Sequence, residues 1–238
     1  MSSSEAEAIG LSATAKGITR ICHFTPSRNL PHIMAGASGV LSTAALQADE
    51  RAVFTGTDLK RLDNHAGYIS CSIEYPNGWF FHDVRSREVL FRDWSVLLID
   101  PKCLWQDGTL FSYRNAAAAG GSTLAAGLEA FERMYANQTE GSKGRVFTRL
   151  PNHLVACPTD DQAEVMVPDR IARDDIVGIA VSSEDQARDE MARLHQLGVD
   201  ITGLTVIVVP EFYDRYALSN ALRNGRPPEE STWKRSEV

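Results

Sequence analysis

Positive charge is in short supply in this chain. Lys and Arg number 24 against 31 Asp and Glu, for a formal net charge of −7. That excludes a protein that coats nucleic acid indiscriminately, because phosphate affinity is supplied by excess Lys and Arg. An enzyme that touches a few nucleotides at one local basic patch is still allowed. Cysteine is sparse too. Cys22, Cys71, Cys103 and Cys157 lie far apart, and no Cys-x-x-Cys pair exists. Neither a zinc site nor a redox pair is indicated. Three of them sit beside apolar residues and read as core cysteines, which fits a reducing, cytoplasmic location. No apolar run approaches the roughly 20 residues of a membrane span. The first ten residues are acidic and lack an apolar h-region, so no secretory signal is read there. No P-loop occurs, and no Gly-x-Gly-x-x-Gly opens a helix after a strand. A nucleotide would be held without a Walker or Rossmann cradle. With neither His-Glu-x-x-His nor an Asp-rich loop, no metal is expected. Cys22-His23 is the one adjacent nucleophile–base pair, and strand neighbours point to opposite faces.

What is present suits one large domain. The chain has 238 residues, 43% of them hydrophobic, enough for a sizeable core. The expected organisation is a disordered lead-in over 1–16, one domain over 17–223 and a loose tail over 224–238. Strands are predicted over 18–24, 67–75, 96–100, 161–167, 177–182 and 204–209. Ser27 is expected to cap a short helix carrying Leu30, Ile33 and Met34, ended by Gly36 and Gly39. Longer helices are predicted over 121–135 and 183–197, the second opened by Ser183 with Gln186 and stopped at Gly198. Strands interleaved with short helices, without regular βαβ alternation, predict an α+β fold. Residues 137–160 lack periodicity and read as a long loop, which inside a compact domain is functional or disordered.

That loop leads into Asp161-Gln162-Ala163-Glu164-Val165-Met166-Val167. Read as a strand, the segment puts Val165 and Val167 on one face and Gln162, Glu164 and Met166 on the other. A carboxylate in a buried strand is seldom tolerated unless paired or used. Three further segments carry polar chemistry. His23-Phe24-Thr25-Pro26 with Arg28-Asn29-Leu30 forms a polar corner at a strand end. Tyr68 to Tyr75 runs into Pro76-Asn77-Gly78 and the rings of Trp79, Phe80 and Phe81, which can stack on a flat ligand or anchor a loop. Tyr113-Arg114-Asn115 precedes a run of alanines. Taken singly, the first reads as a satisfied strand-end histidine and the last as a surface turn.

Their order and spacing resemble the DarT family, toxin enzymes that ADP-ribosylate single-stranded DNA with NAD. The resemblance runs from residue 18 to 182 and is carried by His23-Phe24-Thr25, Arg28-Asn29-Leu30 and Gln162-Ala163-Glu164. It implies ADP-ribosyltransferase-like mixed central β-sheets flanked by short helices. Glu164 would be catalytic, bonding the ribose 2′-hydroxyl and helping to take the proton from the attacking base, with Gln162 positioning the acceptor. His23, Thr25, Asn29, Leu30, Tyr68 and Tyr75 would line the NAD pocket, with Trp79 a further ring for nicotinamide. Arg51 would replace the arginine expected to hold NAD, with Arg85 and Arg87 as further candidates. Lys143, Arg145 and Arg149 would receive the DNA, and Arg85, Arg87 and Arg92 are the second place to look. Thymidine-modifying relatives carry a Pro-Arg-Ser-Pro-Met type segment where this chain has Glu74-Tyr75-Pro76-Asn77-Gly78-Trp79. Arg114-Asn115-Ala116-Ala117 looks more like the guanine-modifying branch, so guanine is favoured. The implied partner is an antitoxin that reverses the modification, a macrodomain or similar hydrolase. RNA or protein acceptors, and an inactive NAD- or antitoxin-binding relative, stay open at this point.

Overall fold

The computed structural model describes residues 2–48, 65–141 and 144–234. A mixed sheet organises the chain. Its strands are β1 (Ile21–Pro26), β3 (Tyr68–Ile73), β4 (Trp94–Ile99), β5 (Leu110–Ser112), β6 (Ala125–Ala126), β9 (Glu164–Pro168), β11 (Ile176–Val181), β12 (Thr205–Val208) and β13 (Ser231–Thr232). They run in the order β13-β12-β11-β4-β1-β3-β9-β5-β6. Two small sheets stand beside it: β2 (Val40–Leu41) with β10 (Arg170–Ile171), and the hairpin of β7 (Gln138–Glu140) and β8 (Val146–Thr148). β11 and β12 are parallel, and α6 (Glu184–Gln196) is the crossover between them. The expected α+β architecture is what forms, with short helices α1 (Ser3–Ala15), α2 (Leu30–Ala35), α3 (Thr43–Ala48), α4 (Gly78–Arg87), α5 (Gly127–Arg133) and α7 (Arg215–Arg223) around the sheet.

Register explains the two cores. Ile21 stands opposite Ile73 on one side and Ile99 on the other, while Cys22 stands opposite Ser72 and Leu98. Directly opposed residues share a face. The Ile21 face joins Cys71, Val165, Val167, Leu97 and Phe111 in the larger core. The Cys22 face joins Trp94, Val96, Leu98, Phe81 and Phe212 in the smaller one. All four cysteines are buried and free, and burial pushes the Cys22 thiol up to about 12.

Several expectations are corrected. Residues 3–15 are not a disordered lead-in. Ser2 caps α1, and Ile9 and Ala13, one turn apart, are buried in the larger core. Lys16 Nζ lies 2.9 Å from Glu132 Oε2 of α5. The tail is not loose over 224–234: β13 adds to β12, and Arg20 pairs with Glu230. Ser27 does not cap a helix. It opens a 3-10 turn and bonds Ser95 Oγ at 2.8 Å. The helix expected from 121 is confined to α5, because Gly120 and Gly121 take φ of 59° and 83° and Ala125–Ala126 pair with β5. The stretch 137–160 is not one loop, since it begins with the β7–β8 hairpin. Gly36 caps the end of α2, while Gly39, with φ +64°, turns the chain into β2, where a Cβ would stand 2.1 Å from the Ile171 carbonyl oxygen. That approach admits only glycine.

Candidate active site

The site begins where two strands part. β1 and β3 pair only through Ile21↔Ile73 and Cys22↔Ser72. Beyond that point His23 to Pro26 pair with β4, and Tyr68 to Cys71 pair with β9. The sheet therefore opens into a fork with one wall from β1 and the other from β3. His23 bridges it, its Nδ1 bonded at 2.9 Å to the Ser70 carbonyl that the fork leaves unpaired by β1. Thr25 follows on the same wall, buried, and accepts a 3.0 Å bond from Asn29 Nδ2. Tyr68, half-buried, heads the β3 wall, with the His65 ring 5.5 Å away, edge-on. Four predicted residues, His23, Thr25, Asn29 and Tyr68, thus belong to the fork.

Glu164 stands one strand further on. Met166 of β9 pairs Ser70, and Glu164 shares its face, opposite Ser112 of β5. The face is covered. Glu164 is buried, and its carboxylate accepts a 2.9 Å bond from the Ala116 amide at Oε2 and a 3.5 Å contact from Asn115 Nδ2 at Oε1. Asn115 Oδ1 in turn accepts the Ala118 amide at 2.9 Å, which fixes the side-chain amide. Two neutral donors thus hold a buried acid, a preorganised arrangement that can face developing positive charge. Arg114 anchors this segment, with Nη1 donating to the Gly141 and Glu140 carbonyls at 3.0 and 3.3 Å. So Tyr113-Arg114-Asn115 is no surface turn. Asn115 was visible in the sequence as a polar residue, but the amide of Ala116 carries no sequence signal.

Gln162 is not on the strand. β9 starts at Glu164, and the Gln162 amide donates at 2.9 Å to Asp160 Oδ1, closing an Asx-type turn. Gln162 is half-buried just ahead of Glu164, so proximity survives although the shared strand face does not. Asp160 is buried, and desolvation pushes its carboxyl up to about 6 against the Gln162 amide bond. Behind it lies His153, buried, lowered to about 4 by desolvation and by Arg149.

Other predicted residues have structural work. Leu30 is fully buried in the larger core and offers no surface to a ligand. Tyr75 packs edge-on against Phe212 at 5.8 Å with the Arg20 guanidinium over its ring. It is sent to the smaller core because Glu74 takes φ 64° and turns the chain, its carboxylate accepting the Thr19 amide at 2.7 Å and hydroxyl at 2.8 Å. Trp79 faces α7, 5.4 Å from the Tyr216 ring. Arg85 donates to the Tyr213 carbonyl at 3.1 Å and covers the Phe81 and Tyr213 rings. Arg149 is likewise engaged within the fold. Its two terminal nitrogens bond the Cys157 and Leu154 carbonyls at 2.8 and 2.9 Å, and burial lowers its pKa. Arg145 is exposed at the hairpin. Arg51 and Lys143 lie outside the described residues. No group of three or more His, Cys, Asp or Glu among the described residues could hold a metal ion, and no described helix is long and apolar enough to cross a membrane.

The family model described as "ssDNA thymidine ADP-ribosyltransferase, DarT" matches residues 22–214. The chain belongs to the DarT family. DarT proteins are NAD-dependent ADP-ribosyltransferases of single-stranded DNA. Among solved structures, Thermosipho africanus DarTG in complex with ADP-ribose is similar at a TM-score of 0.58 and 15% identity. It covers 82% of this chain, which spans 51% of that protein's length. Thermus sp. 2.9 DarT in complex with ADP-ribosylated ssDNA is similar at 0.54 and 16% identity, covering 83% of this chain and 97% of its own. The same protein in complex with NAD+ gives 0.51 and 16%, covering 82% and 97%. At these identities the likeness establishes the DarT fold. No curated protein matches.

Proposed function

We propose that this chain transfers ADP-ribose from NAD to a base of single-stranded DNA, with Glu164 as the catalytic acid–base residue. The observation that carries the reading is the buried Glu164 carboxylate on β9, the strand paired with β3, clamped by Asn115 and the Ala116 amide. In this reading NAD lies along the fork. His23 and Asn29 face its adenosine side, with buried Thr25 lining the pocket behind Asn29, and Tyr68 offers a ring to nicotinamide. These polar groups suit a dinucleotide held without a glycine-rich cradle. Arg51 remains the proposed phosphate partner.

The transfer breaks the bond between nicotinamide and ribose C1 and forms one between that carbon and a base nitrogen. The electron pair of the broken bond leaves with nicotinamide. Glu164 stabilises the positive charge that develops on the ribose and accepts the proton that the attacking nitrogen loses. Gln162, at the turn before Glu164, orients the incoming base. A base in a duplex is stacked out of reach, so an unpaired strand is the substrate. The Arg114–Ala117 segment that holds Glu164 resembles the guanine-modifying branch, and guanine is the proposed target, with thymidine, named in the family description, as its competitor. The setting is a bacterial cytoplasm, where the chain acts as a toxin whose antitoxin, a macrodomain or similar hydrolase, removes the modification.

Labelled NAD offered with separate DNA, RNA and protein acceptors tests this. Label on single-stranded DNA supports the reading. Label confined to RNA or protein replaces the acceptor, and no label with no NAD binding makes the chain an inactive relative.

A further inference from the structure

A second surface adjoins the site, just past the family match that ends at residue 214. Helix α7, RYALSNALR, carries two arginines and no acidic residue in a chain of net charge −7. Its Leu218, Ala221 and Leu222 are buried, and a Cβ on Gly78 of α4 would stand 3.2 Å from Leu218. The helix is therefore seated firmly. Arg215, Ser219 and Arg223 recur at four-residue spacing along one line of it, about 12 Å long. At one end Arg215 lies between two rings, 5.0 Å from Trp79 and 4.9 Å from Tyr216, with Asp83 at 3.5 Å. Tyr216 is 63% exposed. In the middle, the Ser219 hydroxyl bonds the Asp161 carboxylate. At the other end Arg223 sits 3.6 Å from Asp161 and 5.6 Å from the Phe147 ring of the β7–β8 hairpin. Asp161 is the neighbour of Gln162, so the line reaches the entrance of the catalytic strand.

We propose that this face of α7 is the track for the nucleotides flanking the modified base, with Tyr216 a stacking platform and Arg215 a backbone contact. The proposal rests on the function proposed above and adds where the strand runs. Arginines interleaved with aromatic rings are what a single strand requires: guanidinium for phosphate, ring for base. The same face adds guanidinium groups and rings to the exposed Arg145 of the β7–β8 hairpin, while Arg149 is engaged with carbonyls.

The test is transfer to oligonucleotides of increasing length, with Tyr216→Ala and Arg215→Ala compared to the unaltered protein, and Tyr216→Trp as the conservative variant. Transfer to the shortest accepted oligonucleotide should be unchanged in each. The gain in kcat/KM with length should fall about tenfold in Tyr216→Ala, the loss of one base–aromatic stack, and return in Tyr216→Trp. Arg215→Ala should lower the salt slope by about 0.7, one phosphate contact on a single strand. Circular dichroism and NAD binding establish that the variants are folded. If the unaltered protein modifies DNA but both alanine variants keep the full length gain and salt slope, the track is overturned. Variants that keep them yet lose binding to the antitoxin assign the face to a protein and overturn it as well. Absence of DNA transfer by the unaltered protein overturns the function itself, a separate outcome.

Discussion

The Glu164 carboxylate accepts a 2.9 Å hydrogen bond from the backbone amide of Ala116, although 48 residues separate them. A backbone donor cannot be mutated away, so the acid keeps one fixed partner whatever side chain follows Asn115. Replacing Glu164 by alanine or glutamine should lower ADP-ribose transfer on the order of a hundredfold or more, with the circular dichroism spectrum retained. Normal transfer by a folded Glu164→Ala variant contradicts the assignment.

Asn115 supplies the second donor, at 3.5 Å. Asn115→Ala should slow the chemical step about three- to tenfold while leaving the KM for NAD close to normal, because the group acts through Glu164. Single-turnover kinetics separates the two. An effect on KM alone would place Asn115 in the binding pocket.

His23 bridges the fork through the Ser70 carbonyl. His23→Ala should weaken NAD binding more than oligonucleotide binding, as measured by separate titrations. The reverse pattern would mean that the two pockets have been exchanged.

Arg149 holds the 154–159 segment through the Leu154 and Cys157 carbonyls. Arg149→Ala should cost about 2 kcal/mol of stability, the scale of hydrogen bonds from a charged donor, and leave the salt dependence of DNA modification as it was. A normal melting temperature with a reduced salt slope would restore Arg149 to the DNA track.

Two buried groups behind the site titrate in opposite senses. His153 is held at about 4 against 6.5 when unfolded, so its contribution is complete above 6.5 and is lost as pH falls towards 4. Asp160 is raised to about 6 from 3.8, so its contribution is complete below 3.8 and is lost as pH rises through 6. The two oppose each other between these limits. Asp160→Asn removes one, and denaturation midpoints of the variant should climb more steeply with pH from 4 to 6 than those of the unaltered protein. Parallel profiles would contradict this.

The elements that could be read from sequence are those whose pattern is local. Ser183 caps α6 and Gly198 follows it at φ 69°, as the spacing implies. β4 from Val96 onward and β11 are unbroken apolar runs and declare themselves. What escaped depends on distant contacts. α1 carries only Ile9 and Ala13 as buried residues, too weak a stripe to announce a helix without α5 beside it. Gln162 left the strand because Asp160 offered its amide a side-chain acceptor in place of a ladder partner. Leu30 and Tyr75 fell within motifs yet serve the cores. Asn115 beside Glu164 follows from the β5–β9 pairing, which no local pattern encodes.

The central claim is that Glu164 drives transfer of ADP-ribose to a base of single-stranded DNA. Mass spectrometry of single-stranded oligonucleotides of defined base content, after incubation with NAD and the protein, tests it most directly. The account predicts one added ADP-ribosyl mass on oligonucleotides containing guanine, absent when Glu164 is alanine. Unmodified oligonucleotides of every composition, from a protein that binds NAD, would contradict it.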